Sequence, residues 1–141
     1  MTLKERCPII EFKDLGDKRG KLVVIEGGQA IPFDIQRVFY IYESDSSVIR
    51  GQHANRESEF VLINVAGKSK VRITDTHEEI IVNLDRPMIG VYIPKLIWKD
   101  MYEFSSDSVL LVLASKHYDG TEYIRDYEEY KKALMKEEDK Q

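Results

Sequence analysis

The chain has 141 residues, 43% hydrophobic and 33% charged, the size and make-up of one soluble globular domain with a real core. Its 21 basic and 25 acidic residues leave a net charge of −4, which argues against sequence-independent binding to DNA or RNA. No apolar run approaches the roughly 18 residues of a membrane helix, Met1–Arg6 lacks the pattern of a signal peptide, and the single Cys7 is read as a passive thiol of a reducing cytoplasm.

In chain order, short β-type segments alternate with turn signals. Ile9–Phe12 is a short apolar stretch, Lys21–Glu26 is a compact β-branched run after Gly20, and Ile31–Phe33 opens the next segment. Arg37–Tyr42 is aromatic and strand-like. Glu59–Val65, Lys68–Thr74, Glu79–Leu84, Gly90–Ile93 and Ser108–Ala114 follow, each bounded by Gly, Pro, Asp or Ser. Lys68–Thr74 alternates, with Val71 and Ile73 on one face, and Val109–Leu113 is apolar throughout, as in a strand buried on both faces. Nine or ten such strands without an intervening helix predict an antiparallel sandwich or barrel. The period then becomes helical, with Tyr123, Tyr127, Tyr130 and Leu134 on one docking face over about 121–136. Asp119 and Glu122 are read as a capping box, and Lys136–Gln141 as a fraying end.

Three histidines are candidates for chemistry. His53, in Arg50-Gly51-Gln52-His53-Ala54-Asn55 and followed by Glu59 and Gly67, follows the layout of the first cupin motif. Metal cupins add a second histidine where Asn55 stands and a third from a later strand, and Asp85–Trp98 has none. His53 and Glu59 are too few ligands for a stable transition-metal site. His53 is then either a hydrogen-bonded strand histidine or a general base. His77 reads as solvated turn and His117 as structural. Arg37 and Arg50 pair with carboxylates or with phosphate. Trp98, Tyr92, Tyr40 and Phe39 are core aromatics or stacking platforms for a base or sugar.

Several blocks together resemble the dTDP-4-keto-6-deoxyglucose 3,4-ketoisomerases: Asp17-Lys18-Arg19-Gly20, Ile31–Ile35, Arg37–Ile41, Arg50–Ala54, Gly90–Ile93, Ile97–Met101, Phe104–Ser106, Leu111–Ser115 and Tyr118–Tyr127. The resemblance implies a cupin-type fold, an RmlC-like jelly roll that is all-β apart from its C-terminal helix. It also implies a nucleotide-linked keto sugar as ligand, no metal or other cofactor, and a homodimer with exchanged N-terminal strands. The activity implied is movement of a keto group from C4 to C3 through an enediol, supplying 3-amino-3,6-dideoxy sugars for surface glycans. His53 matches the base. Asn55 stands where the family has a second histidine, and is expected to polarise the enediolate oxygen. Phe39 replaces a tyrosine, Phe60 a glutamine, and Lys99-Asp100-Met101 follows Trp98 in place of histidine or arginine with Glu-Met. The proton is returned by one of Tyr40, Tyr102, Glu59 or Lys99, and Tyr40 is placed with His53 and Asn55 as catalytic. Arg19, Arg37, Arg50, Glu59, Trp98, Lys99 and Tyr102 are placed around the substrate; Arg19 matches relatives that form the galacto-configured product. A relative acting on another nucleotide sugar and a non-catalytic sugar-binding cupin are the alternatives.

Overall fold

The structure is a computed structural model that describes residues 1–140. After one helical turn, α1 (Leu3–Arg6), come β1 (Ile9–Glu11), β2 (Arg37–Tyr42), β3 (Arg50–Asn55), β4 (Phe60–Ala66) and β5 (Ser69–Thr74). They are followed by β6 (Glu79–Leu84), β7 (Ile89–Ile93), β8 (Trp98–Tyr102), β9 (Val109–Ala114), β10 (Tyr123–Ile124) and the helix α2 (Tyr127–Asp139). The strands form two antiparallel five-stranded sheets, β1-β7-β4-β9-β2 and β10-β3-β8-β5-β6. This is the sandwich that the strand spacing predicts, and no described helix is long and apolar enough to cross a membrane.

Alternation decides what fills each layer. Phe60, Leu62, Val91, Leu110 and Val112 of the first sheet meet Val71, Ile73, Leu84 and Met101 of the second. The opposite face of β4 and β9 is apolar too, and Val61, Ile63 and Leu113 bury there against Phe12, Ile31 and Phe33. The chain between β1 and β2 is thus a strap across the outside of the first sheet. On the outside of the second, Ala54, Trp98 and Ile124 are covered by Tyr130 and Ala133 of α2.

Two expectations are corrected. Lys21–Glu26 is not a strand: the strap crosses a sheet face rather than lining an edge, so no ladder is within reach and only two isolated bridges form, Asp17 with Gly20 and Gly27 with Ile31. The alternation survives without the ladder, since Val23 and Ile25 pack inward while Leu22 and Val24 are exposed. The C-terminal helix does not begin near 121. Asp119 caps one 3-10 turn (Gly120–Glu122) by accepting from Thr121, and Tyr123–Ile124 then pairs with the free edge of β3. Helical geometry starts after Asp126 and continues through Asp139, past the expected point of fraying; Gln141 lies outside the described residues.

The docked helix is fixed by Tyr130. Its ring is fully buried against Trp98, with centroids 5.5 Å apart, and its hydroxyl donates to the carbonyls of Leu96 (2.8 Å) and Thr74 (3.2 Å). Tyr130→Phe leaves the packing and removes the donor, which is expected to cost about 1 kcal/mol. Thermal unfolding should show a drop of a few degrees, and an unchanged melting temperature would mean that this hydroxyl does not anchor α2.

Candidate active site

The pairing of β3 with β8 carries an irregularity that builds the site. Arg50 stands opposite Met101 and Gly51 opposite Asp100, but Lys99 faces His53 rather than Gln52. Gln52 is the extra residue of a β-bulge, and Gly51 and Gln52 both take positive φ, 82° and 55°, to form it. In an unbroken ladder His53 would oppose Trp98 and point out of the sandwich; one added residue turns it inward beside Lys99. Gly51 is required twice over, by its φ and because a Cβ there would lie 2.9 Å from the Lys99 carbonyl oxygen.

Around this bulge, Arg37 of β2, His53 and Asn55 of β3 and Lys99 of β8 come together on the inner faces. Arg37 donates to the Tyr123 hydroxyl (3.2 Å), and its guanidinium lies 5.3 Å from the ring centre of Phe39 and 5.5 Å from that of Tyr118. The Tyr123 ring packs on His53 with centroids 4.8 Å apart. The Lys99 ammonium sits 4.2 Å from the Phe60 ring centre, which also has Arg37 at 6.0 Å. Among the described residues, the buried side-chain nitrogens and oxygens without a hydrogen-bond partner are Arg37 Nε, both amide atoms of Asn55, and Lys99 Nζ, all in this cluster. Elsewhere between the sheets the buried polar groups are satisfied: Asn64 donates to Ser108 (2.8 Å) and accepts from Ser69. Unpartnered polar atoms gathered in one place make this cluster the candidate site.

Glu122, which the sequence reading left as a capping residue, turns inward instead and is buried. Its carboxylate accepts from the backbone N–H of Glu57 (3.0 Å), from that of Ser58 (2.8 Å) and from the Ser58 hydroxyl, tying the turn after β3 to the turn before β10. Burial works to raise its pKa, but these hydrogen bonds prevail and hold it below the ordinary glutamate value. It is the anion facing a cluster with two cations. For Lys99, burial outweighs that attraction, and with Arg37 nearby the ammonium is pushed down to about 7. Burial, and then the charge of Lys99, pulls His53 down to about 3. His53 is therefore a neutral imidazole near pH 7, with an unprotonated ring nitrogen, beside a lysine poised to hold or release a proton.

The other expected site residues lie elsewhere. Tyr40 is on the outer face of β2, 61% exposed, with its ring against Tyr42. Glu59 accepts from the Tyr92 hydroxyl on the strap side of the first sheet. Trp98 is buried under α2 between Tyr127 and Tyr130, on the reverse face of the second sheet from His53. Tyr102 shares that outward parity, opposite Lys70. Arg50 stands exposed at the start of β3 and donates to Ser44, while Arg19 is paired with Asp17 on an exposed turn of the strap. Pattern gave no warning of Glu122; its proximity comes from the 3-10 turn, which periodicity cannot register.

The buried lysine couples stability to pH. The unfolded chain binds more protons at Lys99 than the folded one between about pH 7 and the ordinary lysine value near 10.4. Native stability is accordingly held down below that window and rises with pH across it. Lys99→Met keeps the length and removes the charge. It is expected to melt above the native chain at pH 6 and to lose this part of the rise; a lower melting temperature with the native slope would refute an unpaired buried ammonium.

Comparison with known proteins identifies the family. The family described as FdtA: WxcM-like, C-terminal matches residues 5–135. A curated relative, the TDP-4-oxo-6-deoxy-alpha-D-glucose-3,4-oxoisomerase of Aneurinibacillus thermoaerophilus, is 42% identical over 128 residues, 91% of this chain and 92% of that protein. The crystal structure of QdtA, a sugar 3,4-ketoisomerase from Thermoanaerobacterium thermosaccharolyticum in complex with TDP, superposes with a TM-score of 0.90 at 44% identity, covering 94% of this chain and 96% of that one. A histidine-to-asparagine variant of the same protein, in complex with TDP-4-keto-6-deoxyglucose, gives 0.91 at 43% identity and 96% and 97% coverage. A chain with this cupin-like sandwich and this degree of identity belongs to the FdtA, WxcM-like family, that of the sugar 3,4-ketoisomerases.

Proposed function

We propose that this chain is a sugar-nucleotide 3,4-ketoisomerase that converts TDP-4-keto-6-deoxyglucose to a TDP-3-keto-6-deoxyhexose by base-catalysed tautomerisation through an enediol. The observation that carries the reading is the inward, neutral His53 imidazole set among unpartnered polar atoms on the inner face of the sheet. The reaction needs a base at C3 that is unprotonated at working pH, and burial keeps His53 in that form. It also needs a donor for the oxygen that becomes negative, and the Asn55 amide, buried beside the Glu122 carboxylate but with no partner in good hydrogen-bond geometry, is placed to give one. Arg37, fixed by Tyr123 and flanked by Phe39 and Tyr118, supplies positive charge to the sugar nucleotide. Each step moves protons and an electron pair within one substrate, so no redox partner is called for.

The 3-keto product has the chemistry required by an aminotransferase at C3, which places the enzyme in the formation of 3-amino-3,6-dideoxy sugars for surface glycans such as lipopolysaccharide O-antigen, in the cytoplasm. We further propose a homodimer. The outer face of β2 leaves Val38, Tyr40 and Tyr42 more than half exposed, and Leu22 and Val24 of the strap add to the apolar surface. In sedimentation velocity the native chain is expected at twice its 16.4 kDa mass and Tyr40→Lys at the monomer mass; a native monomer would remove the dimer.

The function is tested by proton NMR with TDP-4-keto-6-deoxyglucose in heavy water. The C3 proton should disappear as a 3-keto species forms. His53→Asn should lower both rates by about 10²–10⁴ while TDP still binds within a few-fold of the native affinity. Native turnover in that variant would show that His53 is not the base.

A further inference from the structure

We propose that Lys99 is the second proton carrier of this site, delivering to C4 the proton that completes the 3-keto product, in the role a second histidine at position 55 would otherwise fill. The inference rests on the ketoisomerase reading above. Asn55 has no proton to exchange, so another group must bring one to carbon. Of the four candidates left open by the sequence, Tyr40, Glu59 and Tyr102 all face away from the inner cluster. Lys99 faces in, directly across the bulged ladder from His53, with its amine buried, unpartnered and resting on the Phe60 ring.

The steps balance without a co-reactant. His53 takes the proton from C3; the C3–H electron pair forms the C3–C4 double bond, and the carbonyl π pair moves onto O4, where the Asn55 amide donates a hydrogen bond. The hydroxyl proton passes from O3 to O4 within the enediolate. The electron pair on O3 then reforms a carbonyl at C3 while the double-bond pair takes a proton at C4 from the Lys99 ammonium. The cycle leaves His53 protonated and Lys99 neutral. Because Lys99 holds its proton more firmly than the buried imidazole does, transfer from His53 back to Lys99 resets the site downhill. The groups that set this balance come from every neighbouring element: Arg37 of β2 and Arg125 after β10 oppose added charge, and Glu122 of the 3-10 turn supports it.

The test follows deuterium and product separately in Lys99→Met and Lys99→Arg, with TDP affinity within threefold of native as proof of an intact pocket. Both variants are expected to keep exchange at C3 and to form 3-keto product 10²–10⁴-fold more slowly, because the arginine stays charged but does not release a proton. In the native enzyme product formation should decline as pH rises through about 7; the residual rate of either variant should lack that decline. Three results overturn the inference: a native rate in Lys99→Met, recovery of the rate in Lys99→Arg, which would assign the residue a charge role only, or loss of C3 exchange together with product. Absence of exchange in the native enzyme would instead remove the isomerase reading itself.

Discussion

The cost of holding polar groups away from water without partners is the constraint on which the arrangement depends. Lys99, Asn55 and Arg37 each carry a buried atom with no hydrogen bond, and each such group costs on the order of 1–3 kcal/mol, more where it is charged. The rest of the molecule supplies the offset through apolar burial in three places at once. The space between the sheets is one; the strap over the first sheet and the helix over the second are the others. A simple sandwich of this length would bury only its inner faces. Covering the outer faces at β4 and β9 and at β3 and β8 lets β4 and β9 bury apolar side chains on both sides, and the packed interior holds the Lys99 amine on an aromatic ring.

That packing is what makes the site chemically useful. A histidine at the surface would titrate near 6.5 and spend much of its time protonated in mildly acidic surroundings. Burial beside a cation keeps His53 unprotonated, and makes it a weaker base than a free imidazole until a bound substrate changes its surroundings. The same environment keeps Lys99 within reach of neutrality, where an ordinary lysine would hold its proton too firmly to deliver it. Glu122 moderates both effects from the far side of the turn, and its own charge is secured by Ser58 and Glu57 rather than by either cation. The separation matters, because a carboxylate bonded directly to Lys99 would restore the lysine to its usual range and remove it from use.

Much of the fold was legible because a period of two is written plainly in Lys68–Thr74 and Arg37–Tyr42, and continuous apolarity marks Val109–Leu113. The strap was misread for a physical reason: KLVVIE has the alternation of a strand, but a ladder requires a partner edge, and partner geometry is not a local property. The helix start was placed too early because Tyr123 keeps helical spacing with Tyr127 while its backbone is held by Asn55 across the edge of β3. Of the residues expected around the site, His53, Asn55, Arg37 and Lys99 come together on the inner faces, whereas Trp98, Tyr102, Glu59 and Tyr40 face elsewhere. Their parity depended on the bulge and on which face of each sheet is interior, and neither can be read from a single strand. Glu122 was hidden inside a plausible capping pattern, of which Asp119 alone proved to be the cap.

The bulge at Gln52 also has a consequence for how this enzyme can change over generations. Substitutions alter a site by degrees, but one codon gained between Gln52 and His53 would shift every side chain beyond it by one place in a pattern whose repeat is two. His53 would then trade faces with Ala54, putting the imidazole beneath α2, whereas loss of Gln52 itself would straighten the ladder and leave His53 opposite Lys99. Length variation is therefore expected to accumulate in the exposed Glu43–Ile49 connection ahead of β3 and to be purged within the strand itself.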